Sequence, residues 1–285
     1  MKISTEIGSF AKIIGEKRAV EQVAKAGFDG WDFSMFRMKD SPDTQGHPLL
    51  SAGYRDFARE LRKIGEDNGI LCNQAHAPFP SLSPAVNDYL KRAIECAAIA
   101  GAEICVMHPD NRSTAEENAE LYRSLLPFAK EHGVKIAAEN MWNWEKGAPT
   151  ASPAACSHHA DFLRHIQTVN DPYLVACLDI GHAEMAGLNT SAEEMILTLG
   201  GHLQALHVHD NDKIHDSHQA PFTMQIDFER VAKALAKINY SGYITLECDN
   251  YAKALGAKSP ADTQNALTDL AARARRLADM VKAKG

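Results

Sequence analysis

The segment Leu206–His218 reads LHVHDNDKIHDSH and packs four histidines and three aspartates into thirteen residues. A hydrophobic core has no use for that composition, and a solvated loop gains nothing from concentrated imidazoles. His, Asp and Glu at short spacing are the side chains that hold a divalent cation such as zinc, manganese or cobalt. The segment starts as a strand, with Leu206 and Val208 apolar, and opens into a polar loop. Its histidines are therefore expected at the C-terminal end of a strand.

The same residue types close other apolar runs. His76 follows Ile70–Ala75, His108 follows Glu103–Met107, and Glu139 follows Val134–Ala138. Asp179 and His182 follow Leu174–Leu178, and Glu247 follows Tyr243–Leu246. With His207 on its own strand and Asp216 and His218 in the loop beyond, six consecutive strands deliver a metal ligand to one rim. Glu139, Asp179, His207 and Glu247 come from four adjacent strands and are expected to converge on one ion. His76, His108, His182, Asp216 and His218 are further candidate ligands. His182 could reach a second ion or hold a substrate hydroxyl. Carboxylates with imidazole suit zinc, manganese, magnesium or cobalt, and the residues do not choose among them.

The elements that must position these groups alternate along the chain. Strands are expected near Ile3–Thr5, Phe28–Phe33, Ile70–Ala75, Glu103–Met107, Val134–Ala138, Leu174–Leu178, Leu203–Val208 and Tyr243–Leu246. Amphipathic helical stretches lie between them. Tyr54, Phe57, Leu61 and Ile64 share one helical face, as do Phe228, Val231, Leu235 and Ile238. Helices are expected to open at Ser83-Pro84 and Ser259-Pro260, with proline in the first turn, and at the capping boxes beginning at Ser113 and Ser191. Apolar strands with helical crossovers make a parallel sheet covered on both faces. Eight such units, without a break in composition over residues 1–285, most simply close into a single α/β domain, a (β/α)8 TIM barrel. An open doubly wound sheet would normally carry a glycine-rich phosphate loop after its first strand, and none is present.

Bulk properties exclude several classes. The net charge is −7 with no run of Lys or Arg, which argues against a general nucleic-acid binder. Cys72, Cys96, Cys105, Cys156, Cys177 and Cys248 form no CxxC pair and read as small buried hydrophobes of a reducing compartment. No apolar run is long enough to span a membrane, and a strand begins almost at once without a signal peptide. The expectation is a cytoplasmic protein; self-association into a homo-oligomer is left open.

The runs His76-Ala77-Pro78, His108-Pro109, Glu139-Asn140, Leu178-Asp179-Ile180-Gly181-His182, His207-Val208-His209-Asp210-Asn211 and Leu246-Glu247 together resemble the xylose-isomerase-like barrel superfamily. The resemblance is to its sugar phosphate isomerase/epimerase branch, which shares a fold with endonuclease IV. It implies a divalent metal held by Glu139, Asp179, His207 and Glu247, and a small carbohydrate substrate. It further implies that Glu139 and Glu247 exchange protons with the sugar carbon next to the carbonyl. In the ketohexose epimerases of this group, substrate contacts fall six positions after the first glutamate and after the histidine, which are Glu145 and Lys213 here. Lys213 stands where that group usually has arginine, and would act as a point charge. Trp31, Trp142 and Trp144 could pack their faces against the C–H groups of a sugar. The competing expectation is a multinuclear zinc phosphodiesterase of the endonuclease IV type, since His76, His108, His182, Asp216 and His218 match positions that complete its site. A metal-binding barrel without catalysis is the third.

Overall fold

Apolar runs with side chains alternating between two faces become the eight parallel strands of a computed structural model that describes residues 1–285. The strands are β1 Ile3–Glu6, β2 Gly30–Ser34, β3 Leu71–His76, β4 Ile104–Met107, β5 Lys135–Glu139, β6 Leu174–Asp179, β7 Leu203–His207 and β8 Ile244–Leu246. Each pairs with its sequence neighbour, and β8 also pairs with β1. Two backbone hydrogen bonds, Val208 N to Thr245 O (2.9 Å) and Glu247 N to Val208 O (3.1 Å), join β7 to β8 and close the barrel. That seam lies beside His207 and Glu247, so closing the barrel also positions two of the candidate ligands. The anticipated (β/α)8 architecture is the one observed, and no helix is long and apolar enough to cross a membrane.

The helices are α1 Gly8–Ile14, α2 Glu16–Lys25, α3 Tyr54–Asp67, α4 Leu90–Ala100, α5 Ala115–Glu131, α6 His159–Val169, α7 Ile180–Ala183, α8 Ala192–Leu199, α9 Phe228–Lys237, α10 Tyr251–Ala254 and α11 Pro260–Lys282. Their starts follow side-chain capping. Ser191 accepts from Glu194 N before α8, and Ser259 forms a reciprocal box with Asp262 ahead of Pro260 in α11. Two expected starts move. The box before α5 is built on Thr114 and Glu117, because Ser113 Oγ turns away to Asp110 Oδ1 (3.0 Å). No helix opens at Ser83-Pro84. Asp40 N bonds Ala85 O (3.1 Å) and Tyr89 Oη bonds Asp40 Oδ1 (2.7 Å), which ties this segment to the loop after β2 and delays α4 to Leu90. The short helices α1, α7 and α10 carry too few residues to show a periodic stripe and were not anticipated.

Most of the apolar core lies between the sheet and the helix ring. Inside the barrel, side chains follow the two-residue period of a strand. One residue pair inward from the rim lie Val106, Ala137, Cys177 and Ala205, which with Val175 form a small apolar cluster on the β4–β7 wall. The facing wall is polar. Ser4 Oγ donates to Thr245 Oγ1 (2.8 Å), Thr245 Oγ1 to Gln74 Oε1 (3.1 Å), and Gln74 Nε2 to Asp32 Oδ2 (2.8 Å). All six cysteines are buried and free. Ser259→Ala removes the cap of the longest helix and should cost about 1 kcal/mol; chemical denaturation showing no loss would contradict its role.

Candidate functional site

Two residues outward along the same strands, the interior side chains become His76, His108, Glu139, Asp179, His207 and Glu247, all at the C-terminal rim. The loop after β7 folds back to add Asp216 and His218, and the turn into α7 adds His182. All nine candidate ligands meet there. Together with Phe36, Phe79, Met141, Trp142 and Asp249, most of them line a cavity of about 270 Å³ with no Lys or Arg in its wall.

The donors form three groups. His76 Nε2, His108 Nε2 and Glu139 Oε2 make a triangle with every edge 3.1 Å. Donors in a tetrahedral shell about 2.0–2.1 Å from zinc stand roughly 3.3 Å apart, so the triangle has the size of one coordination face. In the second group Glu139, Asp179, His207 and Glu247 each bring a donor atom within 4.8 Å of the others. His207 Nδ1 lies 2.9 Å from Glu139 Oε1 and 3.5 Å from Glu247 Oε2. In the third, His182 Nε2 and His218 Nε2 each lie 3.2 Å from Asp216 Oδ2, joined by His209. Glu139 belongs to the first two groups.

Backbone carbonyls fix the imidazoles. His76 Nδ1 meets Ala77 O (2.8 Å), His182 Nδ1 meets Asn140 O (2.9 Å), and His218 Nδ1 meets Glu247 O (2.9 Å). A carbonyl only accepts, so each Nδ1 carries a proton and each ring turns Nε2 to the cavity, the atom at which a cation would replace a proton. Asn140 clamps the ends of β5 and β6: its side-chain amide donates to Asp179 O (2.9 Å) and its carbonyl oxygen accepts from Asp179 N (2.7 Å). Asp179 Oδ2, Asp216 Oδ1 and His209 Nε2 are buried with no hydrogen-bond partner. His209 Nε2 stands 3.1 Å from Asp179 Oδ1 without the alignment of a hydrogen bond. Buried polar atoms left this way each cost about 1–3 kcal/mol. A cation shared by these donors removes the cost, so the residues present fit a divalent metal.

The electrostatics divide the carboxylates. Burial alone would raise Glu139, but the His207 and His108 imidazoles outweigh it and hold the group ionised. Asp216 is likewise held well below the carboxylate range, against burial, by His182 and His218. Glu247 is pushed up to about 7 by burial and by repulsion from Glu139 and Asp249, against the pull of His207. Glu6, at the end of β1, is pushed up to about 8 by burial and Asp249. His182, despite burial, is raised to about 10 by Asp179 and Asp216.

Several expected contacts lie elsewhere. Trp31 is fully buried on the helix side of β2, where its indole nitrogen packs so close to Gly65 of α3 that a Cβ there would sit 2.8 Å away. It cannot reach a ligand in the cavity. Glu145 is exposed and borders a separate surface depression with the half-exposed Trp144. Lys213 Nζ pairs with Glu184 Oε2 (2.9 Å) outside the cavity. Trp142 does line it, and its Nε1 donates to Asp216 Oδ2 (3.3 Å). His209, Glu6, Asp32 and Asn140 were missed. His209 had a signal, because its two-residue offset from His207 puts both on one side of an extended segment. Glu6 had one too, as a carboxylate ending β1.

Two predictions arise from this geometry. Glu6 and Glu247 have an ordinary value of 4.5, so the stability they lend is full below pH 4.5 and drains as pH rises through about 7 to 8. His182 has the same sign, full below 6.5 and lost towards 10. Metal-free protein should therefore melt at falling temperatures from about pH 5 to about pH 9, and a divalent ion should flatten the slope by displacing those protons. A melting temperature that climbs over this range would contradict the assignment. Separately, a Cβ on Gly181 would stand 1.9 Å from His209 Cε1. Gly181→Ala should displace His209 and lower metal loading; unchanged loading would remove His209 from the site.

The chain matches, over residues 20–283, the family model described as xylose isomerase-like TIM barrel. A protein of Methanocaldococcus jannaschii described as uncharacterized is 27% identical over 258 residues, covering 84% of this chain and 81% of that protein. Another, from Sinorhizobium fredii, is also 27% identical, with 82% and 81% covered. Among solved structures, a D-tagatose 3-epimerase-like protein superposes with a TM-score of 0.68 at 22% identity, covering 100% of this chain and 99% of that one. A D-psicose 3-epimerase crystallised in the presence of D-fructose gives 0.71 at 17% identity, with 97% and 99% covered. The 3-keto-D-glucoside 4-epimerase of E. coli gives 0.69 at 17% identity, with 95% and 99% covered. At these identities the structural likeness speaks to the fold, and the family match carries the assignment: the chain belongs to the xylose isomerase-like TIM barrel family.

Proposed function

We propose that the protein is a divalent-metal-dependent isomerase or epimerase of a small carbohydrate, with Glu139 and Glu247 as its acid/base pair. The observation that carries this reading is the placement of the two glutamates, which stand at the ends of β5 and β8 and both line the one rim cavity. Carboxylates at these two separate positions can serve a sugar bound between them as base and acid. Sugar epimerases among the structural neighbours support the same reading.

The cation held by Glu139, Asp179, His207 and Glu247 would polarise a bound sugar's carbonyl and the hydroxyl next to it. A donor set of imidazole and carboxylate, without thiolate, accommodates zinc, manganese, magnesium or cobalt. The ionised Glu139 takes the proton from the carbon α to the carbonyl, and the electron pair moves onto the carbonyl oxygen as an enediolate. Glu247 returns a proton from the other side. Return to the same carbon inverts it; return to the former carbonyl carbon, with the neighbouring hydroxyl proton passing between the two oxygens, gives the isomer. His182 and Trp142 lie where sugar hydroxyls would contact them, and Phe36 and Phe79 offer an apolar wall for C–H groups. The cavity has no Lys or Arg to clamp a phosphate, so the substrate is an unphosphorylated sugar. On the same ground, duplex DNA is not a partner.

Turnover in deuterated water tests the proton transfer. The product should carry deuterium at the reacting carbon, and Glu139→Gln or Glu247→Gln should cost at least about a hundredfold to ten-thousandfold in rate. Product without deuterium would mean a hydride shift and leave the glutamates as ligands only.

The three donor groups also favour a second reading, a multinuclear phosphodiesterase. Metal-loaded protein should leave bis(p-nitrophenyl) phosphate intact if the first reading holds. Rapid hydrolysis, with no sugar turned over, would select the second.

A further inference from the structure

Asp32 is fully buried on β2, inside the barrel and below the rim. A carboxylate there is costly unless a positive or hydrogen-bonding partner meets it. Gln74 Nε2 donates to its Oδ2 (2.8 Å), and the one basic side chain within ion-pair reach is His207, with Nε2 at 3.5 Å. The Gln74 amide cannot turn round. Its Oε1 accepts from Thr245 Oγ1 (3.1 Å) and Asn73 Nδ2 (3.4 Å), so its nitrogen must face Asp32. The remaining interior wall near His207 is apolar, formed by Ala137, Cys177, Ala205 and their neighbours. His207 Nε2 is buried without an aligned hydrogen-bond partner, and Asp32 Oδ2 at 3.5 Å is the carboxylate that faces it.

We infer that Asp32 is a positioning residue for the metal centre, holding the His207 ring so that Nε2 carries the proton and the Nδ1 lone pair faces the cation. The inference rests on the metal reading given above. His207 stands apart from His76, His182 and His218, which are fixed through Nδ1 by backbone carbonyls and present Nε2. His207 presents Nδ1 to Glu139 and Glu247, so its fixing group must come from the barrel interior, and Asp32 is placed to supply it. A carboxylate behind a ligating imidazole sets its tautomer and raises its basicity, and losing such a partner typically lowers metal affinity about 10-fold to 100-fold. The polar chain Ser4–Thr245–Gln74 then acquires a purpose: it aims Asp32.

The test compares the chelator-stripped full chain with Asp32→Asn and His207→Ala by calorimetric titration with manganese(II). Asp32→Asn should bind about 10-fold to 100-fold more weakly while the metal-free protein melts within a few degrees of wild type. Unchanged affinity in Asp32→Asn, with affinity lost in His207→Ala, would overturn the inference and leave the metal reading standing. Unchanged affinity in both would overturn the metal reading instead. Should Asp32→Asn fail to fold, zinc-loaded wild type labelled with nitrogen-15 at histidine answers the question. The ring signal missing in His207→Gln should show a proton on Nε2 and metal at Nδ1; metal at Nε2 would overturn the inference.

Discussion

The structure depends on one electrostatic constraint: a ring of carboxylates and imidazoles buried at one end of a barrel. Glu139, Asp179, His207 and His209 are completely inaccessible, and His76, His182 and Glu247 are nearly so. Ions buried in this number are stable only if opposite charges and fixed dipoles meet them at close range. In the metal-free chain the imidazoles do this by taking up protons, which is why His182 is raised while Glu139 and Asp216 are held ionised. A divalent cation does the same work with fewer charges. Protons and a divalent metal would therefore compete for one set of atoms, which is what the proposed metal centre requires.

The barrel interior is divided to suit that rim. The β4–β7 wall fills its lower layer with Val106, Ala137, Cys177 and Ala205, the apolar packing expected inside a barrel. The β8, β1, β2 and β3 wall gives up apolar packing for Thr245, Ser4, Asp32 and Gln74. The Gln74 amide in that chain is fixed from both sides, its oxygen by Thr245 and its nitrogen by Asp32. The ligands above it, drawn from short strands and sharp turns, are thereby held by backbone carbonyls, the Asn140 clamp and a polar floor.

The parts legible in sequence were those with a repeating signal. Alternating apolar runs and three-four-three helical stripes located the eight strands and the long helices, and residues at strand ends located the side chains that meet at the rim. Helix starts shifted where a rival hydrogen bond existed, as with Ser113 turning to Asp110. Positions assigned by counting from a neighbouring motif fared worst. Glu145 and Lys213 sit on loops whose paths depend on Asn143–Ser152 pairing and on the Lys213–Glu184 ion pair, and no local pattern encodes either. Trp31 was misplaced because a strand's two faces are indistinguishable when both are buried. Asp32 escaped notice because a lone aspartate in an apolar run carries no spacing signal; its meaning emerges only beside His207.

The most direct measurement is anomalous diffraction from crystals of the protein soaked with manganese(II) or zinc(II), recorded on both sides of the metal's absorption edge. The expected result is a peak bounded by Glu139, Asp179, His207 and Glu247, within about 2.0–2.3 Å of their donor atoms. A map with no peak among those four side chains, from crystals that carry the metal elsewhere, would contradict the assignment of this rim as a metal centre.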